Sequence, residues 1–202
     1  MAIRFLHSHF ISLYTIMKNF NRQLNIIRNT AGGFTWTKGR FPGEYILSSM
    51  DGKAKLVIEV YDRTLSLSKG STNTSARGKG TGLFIRAVPV YAALKSKNIN
   101  RVIHESAFLN NAQKREYNVP PSQRLVRYLG LVPRKNAPME ENLFIKNATP
   151  QLRNRLRRIV YKYPFDKKNY NRVVGKREVV SHPLQSRIEG AFSVRRLVPK
   201  RR

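Results

Sequence analysis

The chain has no cysteine, only 11 acidic residues against 39 Lys and Arg, four histidines, and no run of eighteen apolar residues. The missing cysteines exclude a disulfide scaffold, a thiolate metal site and a thiol nucleophile. The missing apolar run excludes a helical transmembrane segment. The shortage of acids leaves a formal net charge of +28 over 202 residues and a pI near 11.2. Self-repulsion on that scale is relieved most simply by a polyanion. Apolar residues still make up 41% of the chain, which is enough for a packed core and argues against wholesale disorder. The length fits one domain of ordinary size with extensions. These quantities point toward a nucleic-acid-bound protein and away from a soluble metabolic enzyme.

Acids are absent from residues 1–43 and again from 63–104, with Glu44, Asp51, Glu59 and Asp62 between. The stretch 145–202 carries 17 Lys and Arg against Asp166, Glu178 and Glu189, a net of +14. Such a tail reads either as a targeting or solubilising run or as a segment ordered against phosphate. Ile159, Val160, Tyr161, Tyr163, Phe165, Tyr170, Phe192 and Val194 are interleaved with the cations, which favours insertion into a crowded RNA–protein assembly. The candidate phosphate contacts in this extension are Arg153, Arg157, Arg158, Lys167, Lys168, Arg172, Arg195, Arg196, Lys200, Arg201 and Arg202. Tyr161, Tyr163, Tyr170 and Phe192 are candidates for stacking on bases or packing on protein.

Ile3, Leu6, Phe10, Leu13, Met17, Phe20, Leu24 and Ile27 recur at alternating spacings of three and four, which predicts an amphipathic helix over about 3–28. Two roles compete for it. An acid-free, Arg-bearing amphipathic N-terminus is the pattern of a mitochondrial transit segment. A permanent helix docking on a partner protein through Leu6, Phe10, Leu13, Met17, Phe20 and Leu24 has the same pattern. Both place the protein in an organelle, and a mitochondrial matrix location is expected.

Thr30-Ala31-Gly32-Gly33 ends that helix, and Gly39 to Gly43 read as an irregular link. Glu44–Met50 and Ala54–Tyr61 read as strands around an Asp51-Gly52 hairpin turn, and Thr64–Ser68 as a third strand. The stretch from Lys69 to Gly82 is small, polar, glycine-rich and only positively charged. Its glycines let backbone N–H groups approach an anion, with Arg77 and Lys79 supplying charge, though it is not a P-loop. A flexible surface loop is the plainer alternative. Leu83–Val88 is apolar apart from Arg86, and Pro89 is placed at the start of a helix Pro89–Lys97. Ile99–His104 reads as a strand, Gln123–Leu129 as a helix stopped by Gly130, and Leu131-Val132 as a short closing strand. The expected fold is α+β: an antiparallel meander, then helix-strand-helix-strand, forming a mixed sheet. The division expected is an N-terminal helix and linker (1–43), a core domain (44–133) and a basic C-terminal extension (134–202).

No catalytic constellation stands out. His7, His9, His104 and His182 offer no metal-ligand set, and no nucleophile elbow, Walker A or dinucleotide fingerprint is present. No cofactor and no metal are expected. A metal-dependent nuclease built on Glu44, Glu59, Asp62 and Glu105 is the one enzymatic alternative, against the plainer pairing of those acids with surplus cations.

A small, basic, cysteine-free chain with a packed centre and basic extensions resembles a ribosomal protein, and the N-terminal helix suggests a mitochondrial ribosome. Residues 44–133 resemble the fold shared by the 5S-rRNA-binding universal large-subunit protein eighteen and small-subunit protein eleven. The residues carrying the likeness are Val60-Tyr61-Asp62 with Leu65-Ser66-Leu67-Ser68, then Asn98-Ile99-Asn100-Arg101-Val102-Ile103, then Arg127-Tyr128-Leu129-Gly130-Leu131. The resemblance implies a structural ribosomal constituent and no enzyme. It implies Arg77, Lys79 and Arg101 facing rRNA, other ribosomal proteins as partners, and no small-molecule substrate. A non-ribosomal RNA-binding or assembly factor is the main alternative, and a subunit facing anionic lipid the weakest.

Overall fold

Residues 2–73, 80–106 and 120–162 are described in the computed structural model, the side chains of 2–12, 121 and 138 excepted. Arg77, Lys79 and the cations expected to bind from Lys167 onward lie outside the described residues, as do the side chains of Leu6 and Phe10.

The N-terminal heptad seam forms helix α1, Ala2–Ala31, which Gly32 ends with a positive φ of 66°. Along it Ile16, Phe20, Leu24 and Ile27 are buried, and α1 packs on the later helices α2 and α4 of its own chain. Next come β1 (Phe34–Lys38), β2 (Glu44–Ser49), β3 (Ala54–Tyr61) and β4 (Thr64–Thr72), an antiparallel meander. The β2–β3 turn uses Asp51-Gly52, and its Asp51 carboxylate accepts from Ser49 Oγ at 2.6 Å. The β3–β4 turn has only two residues, Asp62 and Arg63, with φ of 40° and 58°. Both values are positive, as the type I′ twist requires.

Helix α2 (Thr81–Lys95) then crosses to β5 (Arg101–Glu105), which lies parallel to β4. Helix α3 (Pro121–Tyr128), strands β6 (Val132–Arg134) and β7 (Ala137–Phe144), and helix α4 (Pro150–Lys162) complete the described chain. The strand order is β1-β2-β3-β4-β5-β7-β6. The expected α+β class with a mixed sheet is therefore what the chain adopts, although the sheet draws strands from both sides of the 44–133 segment.

Three elements differ from the sequence expectation. Helix α2 starts at Thr81, and Pro89 sits inside it at the cost of the bond to Ile85 O. Fourteen of its fifteen residues are buried, so burial outweighs the proline penalty. The helix has no polar face for periodicity to reveal. β1 was read as part of a link, although Phe34-Thr35-Trp36-Thr37 alternates with period two. β7 was read as extension because Glu140-Glu141-Asn142 is poor strand sequence. It pairs nonetheless, antiparallel to both β5 and β6.

Burial alternates strictly along β3, where Ala54, Leu56, Ile58 and Val60 point inward and Lys55, Glu59 and Tyr61 outward. The helices form one layer over the inward face, against Tyr45, Leu47, Leu65, Leu67 and Val102. Among the described residues no element covers the opposite face. No described helix is long and apolar enough to cross a membrane.

Candidate ligand site at the parallel strand pair

β4 and β5 are the only parallel neighbours among the described strands, and they pair over just four rungs, Thr64–Arg101 to Leu67–His104. In open sheets ligands collect outside the carboxyl ends of such strands, where the connection reverses. Here that point has a further feature. Leu67 stands opposite Ile58 and Gly70 opposite Leu56, so Ser68 and Lys69 bulge against Val57 alone. A bulge bends its strand and redirects side chains, and bulges gather next to functional sites. Beyond it, β4 continues through Thr72 with β3 on one side and no described strand on the other. The overhang presents about 16 Å of unpaired edge at 3.3 Å per residue.

His104 sits at the fork. Its Nδ1 lies 2.7 Å from the Leu67 carbonyl oxygen, and its Nε2 is buried without a partner. The Nδ1–H tautomer makes that bond, leaving Nε2 as an acceptor. Burial, reinforced by the Arg86 charge, holds His104 below the ordinary histidine range against the opposing effect of the Leu67 bond.

The overhang leads through the basic glycine-rich segment into α2. Gly80 precedes the helix with φ 78°, no side chain caps the N-terminus, and the first turn carries no acid. The Leu83 and Phe84 amides donate to Gly80 O at 3.0 and 2.9 Å, which leaves Thr81 and Gly82 as the first-turn amides with no backbone acceptor shown, at the positive end of the helix dipole.

Arg86, one turn further in, is 5% exposed. Its Nη1 donates to Gly82 O at 3.0 Å, and its Nε has no partner. A Cβ at Gly70 would lie 2.4 Å from Arg86 Nη2, and one at Gly82 would lie 2.8 Å from Thr72 Oγ1. The two glycines thus leave a slot between α2 and the overhang that the guanidinium occupies. Burial pushes the Arg86 pKa down to about 10.

On the outer face, at the same fork, lies a crevice of about 360 Å³ lined by Glu59, Tyr61, Ser66, Ser68, Ile103 and Glu105, among others. Ser68 Oγ donates to Glu59 Oε1 at 3.0 Å. Burial raises the Tyr61 phenol, Arg101 opposes this, and Glu59, Glu105 and Glu140 add to it. On the inner face beyond β5, Glu141 is fully buried, 3.6 Å from Arg127 Nε and within 3.3 Å of Ser106 Oγ. Burial raises its pKa despite Gln123 and Arg127.

The residues singled out from sequence fall in several places. Arg101 lies on β5, half-buried, with its Nε unpartnered. Arg153 is committed within the chain: it donates to Ala148 O, Leu94 O and Ile145 O, and so holds the C-terminal end of α2. Arg157 and Arg158 are exposed on α4. Phe20 and Leu24 are buried in the chain's own core, and Leu13 and Met17 are half-buried. Tyr161 is partly exposed and packs edge-on against Tyr91.

The acids suggested for a nuclease do not converge. Glu44 accepts the Arg40 and Phe41 amides, Asp62 occupies a turn, and only Glu59 and Glu105 share the crevice. Among the described residues no three His, Cys, Asp or Glu side chains form a group able to hold a metal ion. Sequence reasoning missed Arg86, His104 and the β4 bulge. The signal for Arg86 was its isolation in an apolar run.

No protein-family model matches the chain, and no curated protein does. Solved structures do match. The ribosomal-protein-S18-alanine N-acetyltransferase from Escherichia coli is 15% identical, over 64% of this chain and 90% of that one, with a TM-score of 0.39. Ard1 from Thermoplasma volcanium is 10% identical, over 59% and 74%, with a TM-score of 0.35. The Y144F mutant of the AtaT toxin, bound to the C-terminus of the antitoxin AtaR and acetyl-CoA, is 16% identical, over 51% and 68%, with a TM-score of 0.35. These likenesses are too low to carry an argument about activity. The neighbours are nonetheless acetyltransferases and not ribosomal proteins of the eighteen or eleven type. That finding overturns the ribosomal resemblance. With it go the non-enzymatic reading, the rRNA and ribosomal-protein partners, the RNA-binding alternative and the exclusion of a small-molecule substrate.

Proposed function

We propose that this chain binds an acyl-CoA at the β4–α2 connection and transfers the acyl group to an amine. One observation carries the reading. β4 leaves β5 at a bulge and continues, with no described strand on that side, toward a basic glycine-rich segment and the N-terminus of α2, which no side chain caps. A ligand that fits has a diphosphate at one end, for the α2 amides, and an extended amide-bearing arm at the other, to pair with the free edge as an added strand. The pantetheine arm of CoA is such a chain, and its thioester end would reach the fork at Leu67 and His104.

The amine acceptor would enter from the outer crevice, where Glu59 and Glu105 attract a cation and are the candidate bases for its proton. Attack on the thioester carbonyl forms the C–N bond and breaks the C–S bond, and the departing thiolate takes up a proton. A mitochondrial location remains a proposal that rests on the acid-free α1, whose apolar seam is engaged by the core.

The test is calorimetric titration of the full chain with acetyl-CoA, then thiol release from CoA over a panel of amines and lysine peptides. The absence of cysteine makes a thiol reagent report CoA alone. Gly80→Asp should weaken CoA binding at least tenfold relative to Gly80→Asn, by putting a carboxylate where the diphosphate sits; Asn carries the same strain at φ 78° without the charge. No saturable CoA binding, or equal binding by Gly80→Asp and Gly80→Asn, overturns the proposal. Binding without thiol release for any acceptor removes its transfer half.

A further inference from the structure

We infer that Arg86 is the inner half of a diphosphate-binding site whose outer half is the N-terminus of α2. The inference deepens the acyl-CoA reading and relies on it for the ligand's identity, while the site itself stands on separate observations. The first is an unmatched charge. The Arg86 side chain is buried and its Nε has no partner, and the one bond shown is Nη1 to Gly82 O. The three ion pairs among the described residues, Lys53–Asp51, Arg127–Glu141 and Arg134–Glu140, do not include it. A buried cation without a counter-charge is expensive to maintain, and a guanidinium has five donors to satisfy.

The second observation is the slot. Gly70 on the overhang and Gly82 in the first turn of α2 both lack the Cβ that would collide with Arg86 or Thr72. The guanidinium is therefore held between the overhang at Gly70, beside Leu56, and the first turn of α2 at Gly82. The third is the surroundings. No acid occurs from residue 63 to 104. The titratable neighbour that acts on this region is His104, itself held neutral by burial beside Arg86. Among the described residues no acid pairs with Arg86, and a bound anion would supply the missing counter-charge. An anion seated on the first-turn amides meets the guanidinium fork from beneath, and the fork's geometry suits phosphoryl oxygens.

The experiment compares wild type, Arg86→Met and Arg86→Lys by calorimetry, with CoA, inorganic pyrophosphate and phosphate-free pantetheine. Wild type should bind CoA and pyrophosphate. Arg86→Met should weaken both by about ten- to a hundredfold and leave pantetheine unchanged, and Arg86→Lys should fall between. Pyrophosphate bound equally by wild type and Arg86→Met, or not bound by wild type, overturns the inference. Wild type binding pyrophosphate but not CoA would sustain the Arg86 site and refute the acyl-CoA reading. If Arg86→Met does not fold, hydrogen exchange on wild type decides: pyrophosphate should slow the Thr81–Arg86 amides, and unchanged rates there refute the site.

Discussion

Replacing Leu24 by Ala tests whether α1 is part of the folded domain or a separable arm. Leu24 is 0% exposed, beside Phe20 at 0% and Ile27 at 2%, so the substitution removes fully transferred methylenes and leaves a cavity. Such changes cost about 2–5 kcal/mol, depending on how far the neighbours collapse. Phe20 lies against Tyr45 with ring centroids 5.8 Å apart, and Tyr45 in turn lies 5.7 Å from Trp36. Collapse is thus resisted by interlocked rings, and about 3 kcal/mol is expected. For a domain of this size that lowers Tm by roughly 6–12 °C. Trp36 is the only tryptophan, and its Nε1 donates to Asn25 Oδ1 of α1 at 3.2 Å. Its fluorescence therefore reports the α1–sheet junction directly. Urea unfolding followed by Trp36 emission and by far-ultraviolet circular dichroism should give coincident transitions, both shifted by Leu24→Ala. Tyr14→Ala, at a site 68% exposed, should stay within about 0.5 kcal/mol of wild type. An unchanged midpoint for Leu24→Ala, or a Trp36 transition preceding the loss of helix, would refute the reasoning.

Two further outcomes are expected. His104 is held below its ordinary pKa, so as pH falls below 6.5 the unfolded chain takes up this proton before the folded one, and stability drops. His104→Leu should be about 1–3 kcal/mol less stable at pH 7 because Leu67 O loses its donor. The gap between wild type and variant should narrow toward pH 5 in denaturant titrations, and a gap that widens contradicts the assignment. Asp62→Asn should raise stability by about 0.5 kcal/mol, because Asn tolerates the left-handed φ of this turn better than Asp. It should also leave thiol release unchanged, whereas a metal-dependent nuclease using Asp62 would lose its activity. Lower stability in Asp62→Asn would count against the turn argument.

The elements legible in the sequence are those whose own residues carry a short-range pattern. α1 was visible because one of its faces is buried and the other wet, so apolar residues recur at helical spacing. β2 and β3 were visible because a two-residue Asp-Gly turn and alternating side chains reveal a hairpin with one solvated face. α2 was legible only in its second half. A helix buried on every side has no amphipathic stripe, and Pro89 gives a local stop signal that surrounding packing overrides. β7 was hidden for the opposite reason, since Glu141 is a core residue only because Arg127, Ser106 and Gln123 meet it there. The glycine-rich basic stretch was recognised as an anion-approaching segment, but the nature of the anion was not legible. The order meander, helix, strand, helix, strand is common to unrelated sheets, and the ribosomal resemblance, drawn on that order together with the charge and a few short residue matches, failed.

Composition and short-range pattern settle the charge, the missing thiols, the α+β class and the hairpins, since each depends on residues a few positions apart. The placement of Arg86 against Gly70 and the bond from His104 to Leu67 span 16 and 37 residues of chain, and the strand order and the bulge at Ser68-Lys69 are set by pairing between whole strands. Those contacts exist only after β4, α2 and β5 have packed. Packing then buries an ordinary arginine with no acid paired to it among the described residues, and leaves an ordinary strand end with no described strand on one side. No local pattern encodes either property, because both are set by what surrounds the residue after folding.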